Sequence, residues 1–232
     1  MSSYLSHKRK GFQGAGGVPF GNSSRSFNQL HKEAIIIPDT NLLTFGDGTN
    51  DSPFSISCWV KIEDMSRFRI FTKYDYVNAG NSNIEYIFTT DGNGFLILIL
   101  ADNSEGTTSY QGIKSAFNLS SRIGIWTHFV ATYDGRGGAT ANQGCFFSIG
   151  GVPMTVTQAF TSASYVAMEN TNSNPAIGIA NENAGVRYFS EGKMADCRVY
   201  DRVLSSQEIT DLYQETDVQS GLVGHWLTDV DS

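Results

Sequence analysis

Six consecutive residues, Gly46-Asp47-Gly48-Thr49-Asn50-Asp51, put two carboxylates and an amide into one glycine-rich turn. Hard oxygens of this kind are what Ca²⁺ takes, in sets of about six to eight. Glycine at 46 and 48 would leave backbone carbonyls open to join them. Asp196 lies on a late segment with strand periodicity that could pair near this loop, so Asp47, Asp51 and Asp196 form the candidate metal set. The same residues also read as plain turn formers, for which Asp and Asn are the default. Asp134 with Asn181, Glu182 and Asn183 is a second and looser acidic group, its members far apart in sequence.

A second set suits a sugar. A flat aromatic ring stacks on the apolar face of a pyranose while nearby amides take up its hydroxyls. Tyr74, Tyr76, Asn78 and Tyr86 supply that mixture, with Asn81 and Asn83 among them, and Tyr110 lies in another polar region, as do Tyr165 and Tyr188. Tyr74, Tyr76, Asn78, Tyr86 and Tyr110 are therefore the candidate glycan contacts.

Catalytic chemistry is poorly served. No G-x-S-x-G elbow surrounds any serine, and His128 and His225, each near a tryptophan, read as histidines hydrogen-bonded on a sheet face. Glu85 and Asp91 are the carboxylates a glycoside hydrolase would have to recruit from unrelated segments. The expected protein is not an enzyme. Cys58, Cys145 and Cys197 are odd in number and lack CxxC spacing, so they read as small core residues rather than disulfides or a zinc site.

Strands must position these groups. Phe54, Ile56, Cys58, Val60 and Ile62 alternate with mostly polar neighbours, the period of a strand with one buried face. Ala34–Ile37, Arg69–Lys73, Ile84–Thr90, Trp126–Tyr133, Gly144–Ile149, Met154–Gln158, Ala176–Ala180 and Gly192–Tyr200 are further strands, with Tyr74 to Asn83 a loop. Phe95–Leu100 is apolar at every position and predicts burial on both faces. Asp91-Gly92-Asn93-Gly94 suits the hairpin before it. On the late strand Ala195, Cys197 and Val199 should share one face. Ser205 and Glu208 then have capping-box spacing, with Leu204 and Ile209 placed as a hydrophobic staple, so a short helix starts at Ser205. The Gly221–Leu227 segment predicts a last strand that returns near the first and brings the ends of the domain together. Strands at this density, with one helix, predict an all-β antiparallel two-sheet sandwich.

Three stretches carry a resemblance. Phe45-Gly46-Asp47-Gly48 with Pro53–Lys61, Gly124-Ile125-Trp126-Thr127-His128-Phe129-Val130-Ala131-Thr132-Tyr133-Asp134-Gly135, and Gly192–Tyr213 occur in the order of the laminin-G-like family of concanavalin-A-like jelly rolls, over roughly Ser26 to Tyr213. The resemblance implies a jelly roll, and a structural Ca²⁺ held between an early loop and a late-strand Asp. Glucan-cleaving enzymes of that fold carry E-x-D-x-x-E on one strand. That pattern is absent here, and Glu215-Thr216-Asp217 lacks the second Glu.

Net charge is −7, yet the first 32 residues hold five basic side chains and no acid, so the remainder is more acidic than the total. Residues 1–25 read as a flexible basic arm and 26–232 as one jelly-roll domain. The arm is expected to dock on other proteins of an assembly. An acidic body repels phosphate backbones, which speaks against nucleic acid, and no apolar run reaches a bilayer's span. The opening residues lack the apolar core of a secretion signal. The sum of these readings is a non-catalytic binding or structural module of a phage virion surface, a capsid decoration or tail-associated adhesin, made in the host cytoplasm. It would contact glycans and could form a homo-oligomer. The alternative is an extracellular calcium-dependent lectin.

Overall fold

The computed structural model describes residues 24–78, 81–104, 108–183 and 186–226; the side chains of 76–78, 81–82, 181–183 and 186–187 are outside that description. In chain order the strands open with β1 (Arg25–Phe27), β2 (Ile35–Ile36), β3 (Phe54–Asp64), β4 (Arg69–Asn78) and β5 (Asn81–Thr90). Next come β6 (Leu96–Asp102), β7 (Ser109–Ser115), β8 (Trp126–Tyr133), β9 (Cys145–Ile149), β10 (Val152–Met154) and β11 (Val156–Thr161). β12 (Pro175–Ile177), β13 (Ile179–Asn183), β14 (Val186–Phe189) and β15 (Glu191–Tyr200) precede helix α1 (Ser206–Tyr213) and β16 (Leu222–Trp226).

These strands form the expected jelly-roll sandwich. A seven-stranded sheet runs β1-β15-β3-β8-β9-β10 with β16 also on β15, and a nine-stranded sheet runs β11-β7-β6-β5-β4-β12-β2 with β13 and β14 attached to β4. All pairings are antiparallel except Asn181 beside Asp75. Between the sheets, Phe45, Phe54, Tyr86 and Tyr133 stack in one aromatic group, Phe45 and Phe54 at 4.7 Å, among the side chains of a single continuous core. All three cysteines are buried free thiols.

Leu96, Leu98 and Leu100 point into that core, whereas Ile99 packs with Ile84, Ile87 and Ala101 on the opposite face of the nine-stranded sheet. Both faces of the apolar run are therefore covered, as its composition predicts. Ser205 accepts from the Glu208 N–H while Glu208 accepts from Ser205 N–H at 2.8 Å, and Leu204 and Ile209 join Val130, Tyr200, Leu212 and Val218 beneath α1. Arg202 also grips Glu208 at 2.6 Å and, with the capping hydrogen bonds, holds its carboxyl down to about 2. β1 and β16 lie end to end on one edge of β15, with Arg25 opposite Met194 and Trp226 opposite Cys197, so the two ends of the domain do meet.

Three expectations change. The Tyr74–Asn83 loop is mostly strand, because β4 and β5 continue to Asn78 and from Asn81. Residues 1–23 lie outside the described set, and Arg25, placed in the arm, instead pairs on β1. The alternation of β15 breaks at Asp196, whose φ of 50° marks a bulge between Ala195 and Arg198; Met194 and Cys197 face the core, and Ala195 does not share their face.

Candidate functional site

The outer face of the nine-stranded sheet carries a groove with an apolar floor. Residues alternate across a strand, so the positions between the core leucines of β6 send Ile97 and Ile99 outward beside Ile84 and Ile87 of β5. Tyr74 of β4 and Tyr110 of β7 flank this floor, and Phe160 of the edge strand β11 stands against Tyr110 with ring centroids 5.9 Å apart. The result is a groove of about 340 Å³. One end is polar, formed by Arg67, Arg69, Thr89, Thr90 and Asp91. Arg69 is buried and donates Nη1 to Thr89 at 2.8 Å; Arg67 lies over the Tyr188 ring at 4.6 Å. Burial, then the neighbouring Arg67 charge, lowers the Arg69 pKa to about 10. Asp91 Oδ1 is taken by the N–H groups of Asn93 and Phe95 in the hairpin. Beyond Tyr74 a smaller recess of about 180 Å³ continues along the same face, lined by Ile36, Asn174, Ala176 and Ile179 among others.

Of the five tyrosine and asparagine candidates, Tyr74 and Tyr110 therefore meet in one groove. Tyr76 and Asn78 lie on β4, but their side chains are outside the described residues. Tyr86 is a correction: it is fully buried between the sheets, donates to the Leu43 carbonyl at 2.9 Å and contacts no groove. Phe160, the isoleucine floor and the two arginines were not anticipated. The doubly apolar Phe95–Leu100 run is the signal that pointed toward the floor, since a strand apolar on both sides needs a second surface to cover it.

Residues 33–210 match the family model described as the concanavalin A-like lectin/glucanases superfamily, of the laminin-G type. The chain belongs to this superfamily. No curated protein matches it. Among solved structures, a putative carbohydrate-binding protein from Bacteroides ovatus is similar at 13% identity and a TM-score of 0.53, covering 91% of this chain and 53% of that one. The enzymatically active domain of tailspike protein 2 from bacteriophage CBA120 aligns at 14% identity and a TM-score of 0.50, over 92% of this chain and 34% of that one. The native heptameric SAP-like pentraxin of Limulus polyphemus aligns at 15% identity and a TM-score of 0.48, over 90% of each chain. The chain thus spans about half of the first and a third of the second.

In this concanavalin A-like domain the three acidic candidates do not converge. Asp47 caps its own turn, its Oδ1 accepting from Thr49 and Asn50 N–H at 2.9 and 2.7 Å, while Gly48 takes φ 81° beside it. Gly46 is needed because a Cβ there would overlap the Met168 carbonyl. Asp51 is held by three donors: the Tyr133 and Tyr165 hydroxyls at 2.6 and 2.8 Å, and Met168 N–H at 2.8 Å. Burial raises its carboxyl pKa although those donors pull it back. Asp196 sits mid-strand, in the bulge opposite β3, and pairs with Arg198 at 2.8 Å and His225 at 2.6 Å. Carboxylates already aimed at by hydroxyls, N–H groups and cations do not fit a Ca²⁺ ligand set, and among the described residues no group of three such side chains gathers elsewhere. Asp134 is paired with Arg136 at 2.6 Å at the end of β8, in the other sheet from Asn181 to Asn183.

Glu85 also turns away from the groove. Lys73 pairs with Tyr86 and Tyr74 with Ile84, which leaves Glu85 as the extra residue of a bulge. Such a bulge re-aims a side chain, and here the Glu85 carboxylate meets the fully buried Lys73 ammonium at 2.8 Å and Thr171 N–H at 2.8 Å, all on Oε1. Oε2 is buried with no partner. Burial, opposed by Lys73, raises the Glu85 pKa to about 7. A carboxyl whose folded pKa lies above its unfolded value contributes most below the unfolded value, near 4.5, and loses that contribution as pH climbs through about 7. Melts of the parent and Glu85→Gln should therefore shift in the parent's favour as pH falls from roughly 8 to 5. A gap between the two that is flat across this range would show that Glu85 does not titrate there.

Proposed function

We propose that this domain is a non-catalytic carbohydrate-binding module whose ligand lies in the groove on the outer face of the nine-stranded sheet. The observation that carries the reading is the meeting of Tyr74, Tyr110 and Phe160 around an isoleucine floor, with the guanidinium groups of Arg67 and Arg69 at one end. Rings and aliphatic side chains would cover the C–H face of a sugar, while Arg67 and Arg69 would serve its oxygens. Hydrolysis would need two carboxylates flanking the scissile bond. Of the carboxylates considered for that role, Asp91 is held in its hairpin turn and Glu85 is buried against Lys73, which supports binding over cleavage. Substituting Tyr110 and Phe160 together with alanine should abolish retention on the glycan that the parent chain binds; retention unchanged would sink the reading.

The module's place, on this proposal, is the surface of a phage particle. The concentration of basic residues in the first 32 positions, against an acidic body, supports an arm that anchors the domain to an acidic partner while the groove faces outward. Deleting residues 1–23 should abolish attachment to particles and leave glycan binding intact. Full decoration by the shortened chain would refute the anchoring role.

A further inference from the structure

The bulge in β15 sets two thiols against each other. Ala195 lies opposite Trp59 and Arg198 opposite Ser57, so Asp196 and Cys197 together oppose Cys58 alone. Asp196 turns out to Arg198 and His225, whereas Cys197 enters the core on the side that Cys58 already occupies. The Cys58 thiol leans across the gap between the strands, its Sγ 3.7 Å from the Ala195 carbonyl oxygen of β15. Burial, and then the Cys197 thiol beside it, pushes the Cys58 thiol pKa up.

Opposed residues of antiparallel strands have Cβ atoms about 4.5–5.5 Å apart. A disulfide spans roughly 3.5–4.5 Å, so a small approach of the two strands closes it. Cys145 stands outside this pair. It opens β9, which is bonded to β8 and not to β3, and its Sγ points to the Ala141 carbonyl at 3.7 Å.

We infer that Cys58 and Cys197 are a redox pair, two thiols in a reducing compartment and a disulfide joining β3 to β15 in an oxidising one. The oxidant is a small disulfide, for which oxidised glutathione is the probe. One cysteine gives up its proton, and its sulfur attacks that disulfide and expels one glutathione thiolate. The other, deprotonated in turn, attacks the mixed disulfide; the bond between Cys58 and Cys197 forms and the second glutathione thiolate leaves. The chain loses two electrons and two protons, and both appear in the two glutathione thiols. Neither cysteine has exposed surface in the fold, so exchange takes place as the chain folds or opens, and the finished bond is shielded from reductant. β15 carries β1 and β16, the two ends of the domain, and β3 links it to the rest of the seven-stranded sheet. The bond would lock that junction and constrain the unfolded chain over more than half its length. The groove lies on the other sheet and is untouched in either state.

The full chain should be refolded from denaturant in a mixture of oxidised and reduced glutathione and, separately, in dithiothreitol. Thiols titrated in denaturant should number three in dithiothreitol and one after the glutathione mixture, with a digest that links Cys58 to Cys197 and leaves Cys145 free. The oxidised chain should melt roughly 10 °C above the reduced one. Cys145→Ala should keep the link and the shift, and Cys197→Ala should lose both. The thiol count and the digest use the unmodified chain, so they do not depend on a variant folding. Three free thiols after the glutathione mixture, a link that includes Cys145, or a linked chain that melts no higher than the reduced one would each overturn the inference.

Discussion

Replacing Lys73 with methionine should destabilise the protein by about 3–5 kcal/mol, the loss expected when one partner of a buried ion pair is removed. For a domain of this size that is a fall in melting temperature on the order of 10 °C. The Lys73 side chain has no exposed surface, and its ammonium reaches Glu85 at 2.8 Å, Asp39 at 2.9 Å and the Thr44 hydroxyl at 2.6 Å. Methionine fills the space of the stem but leaves the Glu85 carboxyl in the interior with only Thr171 as donor, either charged or forced to take up a proton. Adding Glu85→Leu to the same variant should recover much of the loss, because the unpartnered buried carboxyl is then gone. A single variant that melts within about 2 °C of the parent would show that this network is not under the strain its burial implies.

Cutting Tyr110 and Phe160 to alanine should weaken glycan binding by about 30-fold or more, since aromatic anchors at the centre of a contact each carry on the order of 1–2 kcal/mol. The two rings brace each other, so removing one leaves the other without its wall. Stability should change little by comparison, because neither ring belongs to the core between the sheets. Tyr86→Phe is the informative contrast. It removes the hydroxyl bonded to the Leu43 carbonyl and should cost about 1 kcal/mol of stability while leaving binding untouched. A loss of binding in Tyr86→Phe that matched the double variant would mean that both act through the fold.

The sandwich was readable in the chain because its signals are local. Period-2 runs such as Phe54–Ile62, the Ser205–Glu208 capping box and its flanking leucine and isoleucine each specify their element within a few residues. Side assignment failed where a bulge intervened. One extra residue at Glu85 and another at Asp196 reverse which residues face the core, and neither segment announces this in its composition. Tyr86 was therefore grouped with Tyr74 although they project to opposite faces. In the acidic loop the deciding partners are likewise distant. Asp51 has the side chain of a metal ligand, but the hydroxyls that occupy it come from Tyr133 and Tyr165, which are remote in sequence. Half of the groove was legible, as tyrosines in a polar setting and a run apolar on both faces; Phe160 and the arginines join it only through sheet order.

The most direct test is a broad glycan array probed with the intact chain and with the Tyr110→Ala, Phe160→Ala double variant, each in calcium and in chelator. The groove account predicts hits for the intact chain in both buffers and their disappearance in the double variant. Hits that survive in the double variant, or that require calcium, would place recognition away from the groove and contradict it, as would an array on which the intact chain finds no ligand.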